Sequence, residues 1–225
     1  NKGNWWKCKM IKKKIKIAID SPAAAGAGTV AKALSKYFNL LYLDTGKIYR
    51  YIAYLSKNSP KRYNLKFLKK KIKVLKLKEL EKKSLQTDEI GTLASKTAKD
   101  KKIRRLVHNF QINCAYRFPK KFNGSCLDGR DITYKIIPDA NFKFFITASL
   151  KVRTIRRYKE LRKLGKKTTL ADVRKSIKNR DYSDFNRRIS PLKRTKDSIL
   201  INTSNLTKSA CFLKLKNIIE KKIKN

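Results

Sequence analysis

The sequence predicts an α/β protein: a parallel β-sheet flanked by helices. Three observations carry that expectation. Strand-like and helix-like segments alternate along the chain, a turn of small residues joins the first strand to the first helix, and later strand-like runs stop at short polar turns (Asp44-Thr45-Gly46 and Gly129-Arg130-Asp131). Strands linked by helices in this order pair in parallel, because each helix returns the chain to the same edge of the sheet.

Taken in order, Ile15-Lys16-Ile17-Ala18-Ile19 alternates apolar and polar before ending at Asp20, as a strand entering a sheet does. The turn 21–29 follows. Val30, Ala33, Leu34, Tyr37 and Phe38 then recur at helical spacing. A short strand is predicted at 40–43 and a helix over 48–55. Residues 57–90 are dense in lysine, with one alternating run at 72–77, and read as a short insert packed on the domain edge. A helical stretch is predicted over 90–118, strands at 125–128 and 142–147, and helices over 150–164 and 169–180, separated by Gly165. A basic loop over 181–194, a strand at 198–202 and a helix from 208 complete the series. One domain is therefore expected over 10–225, with its core in 10–56, 91–149 and 195–225. Residues 1–9, which precede the single methionine Met10, are expected to be a disordered extension.

Composition narrows the function classes. Hydrophobic residues make up 41% of the 225, enough for a core and against intrinsic disorder. Fifty-nine basic against 16 acidic residues give a net charge of +43. Such a field attracts phosphorylated small molecules, nucleic acid or anionic membrane. No apolar run approaches the ~20 residues that cross a bilayer, and 1–9 contain no signal-peptide core. Cys8, Cys114, Cys126 and Cys211 lack metal-ligand spacing and are expected as reduced, buried residues.

The loop Ser21-Pro22-Ala23-Ala24-Ala25-Gly26-Ala27-Gly28-Thr29 has the chemistry of a phosphate cradle. Small side chains let backbone N–H groups converge on an anion, and the following helix start adds a favourable dipole. It departs from the pattern G-x-x-x-x-G-K-[ST] in three places: Ser21, Ala27 and Gly28 stand for the first Gly, the Lys and the first Ser/Thr. Thr29 keeps a hydroxyl for a metal-bound phosphate. The missing lysine matters, since one preorganised charge-stabilising donor contributes ~3–4 kcal/mol, about two to three orders of magnitude in rate. Lys47 and the arginines of 150–164 are candidates to compensate.

Seven blocks then occur in order: Ile17-Ala18-Ile19-Asp20-Ser21-Pro22, Leu43-Asp44-Thr45-Gly46-Lys47-Ile48-Tyr49-Arg50, Leu127-Asp128-Gly129-Arg130-Asp131-Ile132, Pro138-Asp139-Ala140, Arg156-Arg157-Tyr158-Lys159-Glu160-Leu161, Arg180-Asp181-Tyr182-Ser183-Asp184-Phe185-Asn186-Arg187 and Ser190-Pro191-Leu192. From residue 10 onward this series resembles bacterial cytidylate kinase, of the P-loop nucleoside monophosphate kinases. The resemblance implies phosphoryl transfer from ATP to CMP or dCMP, with Mg²⁺ accompanying ATP near Thr29. It implies ATP binding by 21–29 and CMP binding by Thr45, Arg50, Ser95, Arg104, Arg130, Asp131, Arg180, Asp184 and Arg187. Asp131 would accept from the cytosine amine, and Arg50 and Arg130 would grip the acceptor phosphate. The insert 57–90 would belong to the monophosphate side and 150–194 to a mobile lid, whose Arg153, Arg156 and Arg157 lie on one stretch of helix. Arg157, Arg130 and Arg153 are the expected catalytic cations. No general base is needed, because the attacking phosphate oxygen is already ionised, and His108 is expected to be structural.

The chain departs from the resemblance at Gln111-Ile112, at Thr133-Tyr134 and in the short insert, all on the acceptor side. A cytoplasmic monomer is expected, with no membrane and no specific nucleic-acid partner, although the charge would support nonspecific RNA binding. Two alternatives stand beside this reading: a catalytically weakened nucleotide binder, motivated by Ala27, and a basic nucleic-acid-binding protein, for which no RNA- or DNA-binding motif is visible.

Overall fold

The computed structural model describes residues 14–59 and 64–224, so the expectations for 1–9, Met10 and Cys8 lie outside the described residues. Strands β1 (Ile15–Asp20), β2 (Leu41–Asp44), β3 (Gly124–Gly129), β4 (Phe142–Thr147) and β5 (Ile199–Asn202) form one sheet in the order β2-β3-β1-β4-β5, parallel throughout. The helices are α1 (Ala27–Phe38), α2 (Thr45–Asn58), α3 (Leu65–Lys73), α4 (Asp88–Thr97), α5 (Lys101–Tyr116), α6 (Leu150–Lys163), α7 (Leu170–Asn186) and α8 (Lys208–Lys224).

The alternation in β1 sorts its side chains between two cores. Ile15, Ile17 and Ile19 pack with α1 and α8, around Leu34, Phe38, Leu215 and Ile219. Ala18 faces the opposite layer, where Leu43, Ile48, Ile52, Val107 and Leu127 meet. Each fully buried Leu or Ile contributes about 1.5–3 kcal/mol, so both faces hold the sheet firmly. Cys114, Cys126 and Cys211 are free and buried, as expected of small apolar residues.

Polar side chains begin most helices. Thr87 accepts from the Ile90 amide, Asp100 from those of Lys102 and Ile103, Ser149 from Val152 and Thr169 from Asp172. Helix α1 differs: Gly26, with φ of 92°, precedes it and provides no capping side chain. Its first amides are thereby left for an outside acceptor.

Three elements differ from the sequence reading. The stretch 90–118 is two helices, because Asp100 caps a fresh start after Thr97. The lysine-dense insert holds α3 and two 3₁₀ turns, Leu77–Glu81 and Lys83–Gln86, and the alternating run 72–77 straddles the end of α3 rather than forming a strand. Leu68, Ile72, Leu75, Leu80 and Leu85 bury its inner side. Helix α7 continues to Asn186, so Asp181 and Asp184 are helical residues rather than part of a basic loop.

The sheet's carboxyl edge gathers the acidic strand ends. Asp20 lies opposite Gly129, and Asp44 opposite Asp128. Asp20 is fully buried and accepts from the amides of Ile132 and Thr133 at 2.8 and 2.9 Å, and from the Thr133 hydroxyl at 2.6 Å. These bonds fix the π-type turn Ile132–Ile136 directly after the Arg130-Asp131 pair.

Candidate active site

A cavity of about 1230 Å³ opens along this edge. One end is the whole loop Ser21–Thr29, and the other is formed by α2, α4, α5, the end of β3 and α7. This is the place where an open parallel sheet offers strand ends and helix starts to a ligand.

The loop is tied back by its carbonyls. The Thr203 hydroxyl donates to the Ala25 carbonyl at 3.0 Å, and Arg153 donates to that of Ala23 at 3.0 Å. The Ser21 amide bonds the Gly129 carbonyl at 3.2 Å. Ala24 has φ of 58°, a left-handed conformation that costs an alanine about 1–2 kcal/mol. Its methyl group packs against Leu161, Val173 and Ile177, the small apolar cluster between α6 and α7.

The far end is a nest of guanidinium groups. Arg130 donates through Nε to Asp184 at 2.7 Å and through Nη1 to the Gly129 carbonyl at 3.1 Å. Arg187 reaches the other oxygen of Asp184 at 3.4 Å and the Ser190 carbonyl at 2.6 Å. Burial pushes the Asp184 carboxyl up, but Arg130 and Arg180 outweigh it and hold the group below the usual carboxylate range. Arg180 is less well served. Its Nε is enclosed without a hydrogen-bond partner, as is Nη2 of Arg187. Burial, reinforced by Arg130, pushes the Arg180 guanidinium down to about 10. Enclosed donors with surplus positive charge are what an oxyanion satisfies.

Arg50 is braced on the insert, donating to the carbonyls of Leu85 and Thr87 at 2.8 and 3.0 Å. Its path crosses Gly91, where a Cβ would lie only 2.8 Å from Nη2, so the glycine makes room for the arginine. Arg104 and Asp131 form a buried pair at 2.9 Å, with Arg104 Nε anchored on the Ala98 carbonyl at 2.6 Å. Thr45 donates its hydroxyl to the Asp128 carbonyl at 2.9 Å, and Ser95 borders the cavity from α4.

Of the residues nominated from sequence for catalysis, ATP binding or CMP binding, all but Arg153 line the cavity. Its guanidinium is committed to the carbonyls of Ala148 and Ala23 and to Asp181, which ties it to the loop's backbone. Arg157 does line the cavity and pairs with Glu160 at 3.0 Å. Lys47, a candidate to replace the missing lysine, instead pairs with Glu81 at 2.7 Å. Arg156 stands beside the loop, with Nη1 3.8 Å from where a Gly26 side chain would begin, held by Thr203 at 2.9 Å. His108 sits in α5 and is not among the lining residues.

Sequence reasoning missed Asp128 and Thr203. Asp128 Oδ1 is buried with no hydrogen-bond partner, and Oδ2 lies 3.5 Å from where a Gly28 side chain would begin. Burial first, and then the neighbouring Asp44, hold its carboxyl well above the usual range. The signal was present in the sequence, where the strand-like runs before Asp44-Thr45-Gly46 and Gly129-Arg130-Asp131 both stop at an Asp, Asp44 and Asp128. Thr203 offered no comparable sign.

Comparison with known proteins finds relatives over nearly the whole chain. The family model described as Cytidylate kinase matches residues 17–221. A cytidylate kinase of Clostridium botulinum is 40% identical over 219 residues, covering 92% of this chain and 98% of that protein. The Bartonella tribocorum cytidylate kinase is 37% identical over 201 residues, covering 87% and 90%. An uncharacterized protein from Eubacterium ventriosum, known from a crystal structure, shares the fold with a TM-score of 0.54 at 16% identity, covering 92% of this chain and 99% of that one. The chain belongs to the cytidylate kinase family.

Proposed function

We propose that this protein transfers the terminal phosphoryl group of ATP to CMP and dCMP, giving ADP with CDP or dCDP. The observation that carries the reading is the single cavity with an uncapped helix start and small-residue loop at one end, and Arg50, Arg130, Arg180 and Arg187 at the other. Two anion sites facing each other across one cavity suit in-line transfer between two phosphates.

In this reading the amides of the loop hold the ATP phosphates, and Arg156 and Arg157 border the same end from α6. Arg130, Arg180 and Arg187 hold the acceptor phosphate, whose oxygen attacks without a base because it is already ionised. Asp131 accepts from the cytosine N4 amine, while Arg104 holds Asp131 in place. Uracil presents an oxygen there, which faces a carboxylate and is disfavoured. Helices α6 and α7 form the lid and exclude water during transfer, which strengthens each charge interaction inside. The reading also makes the protein a cytoplasmic monomer without a specific nucleic-acid partner.

Asp128 and Thr29 fit Mg²⁺ bound together with ATP. The enclosed, unpartnered oxygen of Asp128 beside the loop is a site where a hydrated cation would be stabilised. Among the described residues no cluster of three metal-ligating side chains exists, so phosphate oxygens and water would complete the coordination. The ion would neutralise charge developing on the β- and γ-phosphate oxygens.

The test is ADP formation from ATP with CMP, dCMP, UMP or AMP as acceptor. CMP and dCMP should be used best. ATP binding without ADP formation from any acceptor would refute the reading.

A further inference from the structure

The phosphate loop and the two lid helices meet at one residue, Ala23. Asp181 of α7 accepts from the Ala23 amide through Oδ1 at 3.2 Å. Its second oxygen takes Nη1 of Arg153 at 2.6 Å. The same Nη1 donates to the Ala23 carbonyl at 3.0 Å, and Nε is pinned on the Ala148 carbonyl at the foot of α6. Both polar groups of residue 23 are therefore held by a side-chain pair from two different helices. Arg153 is 7% exposed, so the pair works out of bulk water, where charge-assisted bonds are strong.

The next residue explains why such a hold is useful. Ala24 sits in the left-handed region, with φ of 58°, where glycine is at ease and alanine is strained. Left alone, an alanine would relax toward negative φ and swing the following amides out of register. The Arg153–Asp181 pair fixes the peptide just before it, and the α6–α7 apolar cluster takes its methyl group.

We infer that Arg153 and Asp181 are positioning residues for phosphoryl-donor binding: together they clamp Ala23 and hold the alanine-substituted loop in its phosphate-binding shape. They touch no reacting atom. The clamp also joins the lid to the donor site, so movement of α6 against α7 is felt at the ATP phosphates. The inference rests on the reading of 21–29 as the ATP site.

Asp181→Asn keeps the side chain's shape but offers one acceptor oxygen to two donors, so one of the two bonds is lost and the other loses its charge assistance. It should raise KM for ATP about tenfold while changing KM for CMP less than twofold. Arg153→Lys should do the same more mildly, because a lysine cannot span Ala148, Ala23 and Asp181 together. In an Ala24→Gly background the Asp181→Asn change should cost less than threefold in KM for ATP, since glycine keeps positive φ without the clamp. Equilibrium titration with ATP, alongside thermal melting, separates the outcomes. An unchanged ATP affinity with a lowered melting temperature would overturn the clamp as a positioning device. So would equal losses for ATP and CMP, or a double variant no better than Asp181→Asn. Failure of the unsubstituted protein to bind ATP would instead remove the donor-site reading itself.

Discussion

Asp131→Asn isolates base recognition from everything else in the site. Arg104 can only donate, and its Nη1 lies 2.9 Å from Asp131 Oδ2 with Nε locked on Ala98. An asparagine at 131 must therefore turn its oxygen to Arg104, leaving its amide NH₂ toward the cavity. A cytosine N4 amine then meets a donor instead of a carboxylate. Hydrogen bonds to charged groups contribute about 1.5–3 kcal/mol, and at 1.36 kcal/mol per tenfold change this is roughly 10- to 150-fold in kcat/KM for CMP. Uracil O4 gains a partner at the same place, so UMP should hold steady or improve. The alanine variant is a poor substitute: it strands a buried guanidinium, which costs about 3–5 kcal/mol in stability. A coupled assay of ADP release with CMP and UMP, together with a melting curve, measures the change. Losses of equal factor for CMP and UMP would show that Asp131 does not read the base.

Three further outcomes follow from the site. Ala27→Lys, which restores the missing cation on a residue lining the cavity, should raise kcat at least about tenfold, within the two to three orders such a donor supplies; an unchanged kcat in single-turnover measurements would mean that Arg156 or Arg157 already fills the role. Arg180→Met should raise the melting temperature of the ligand-free protein by relieving about 3 kcal/mol of buried, underpaired charge, while raising KM for CMP at least tenfold; a variant that is both less stable and unaffected for CMP would contradict the assigned strain. Burial pushes the Asp20 carboxyl from 3.8 up to about 6. The folded state therefore holds this proton more tightly than the unfolded one, and the stabilisation present below pH 4 is lost as pH rises through 6. That amounts to about 3 kcal/mol in all, of which roughly 1 kcal/mol falls between pH 5 and 7.5; urea melts of the protein should show this slope, and melts of Asp20→Asn, less stable at every pH, should lack it.

Most of the fold was legible because its signals are local. Alternation in 15–19, the small-residue turn and the strand ends at Asp20, Asp44 and Asp128 each announce themselves within a few residues. The insert was not legible, since lysines mask the helical spacing of Leu68 and Ile72, which shows only when α5 covers them. The length of α7 was hidden for a different reason: Asp181 and Asp184 look like loop residues until Arg153 and Arg130 are seen to satisfy them. Nearly all of the binding and catalytic residues nominated by the ordered motifs line the cavity, yet the motifs could not tell a cation that lines it from one bonded to backbone. Arg153 and Arg157 are four residues apart on one helix, and only their partners separate them. Asp128 escaped notice because an acidic group beside a phosphate loop makes sense only with a cation between them.

Two facing anion sites in one cavity are measured most directly with a bisubstrate ligand, adenosine and cytidine joined through their 5′ positions by a pentaphosphate. Titration calorimetry should give one molecule bound per chain, tighter than either ATP or CMP, with each nucleotide competing against it. Competition by only one of the two nucleotides, or affinity no better than that of ATP alone, would contradict a shared cavity.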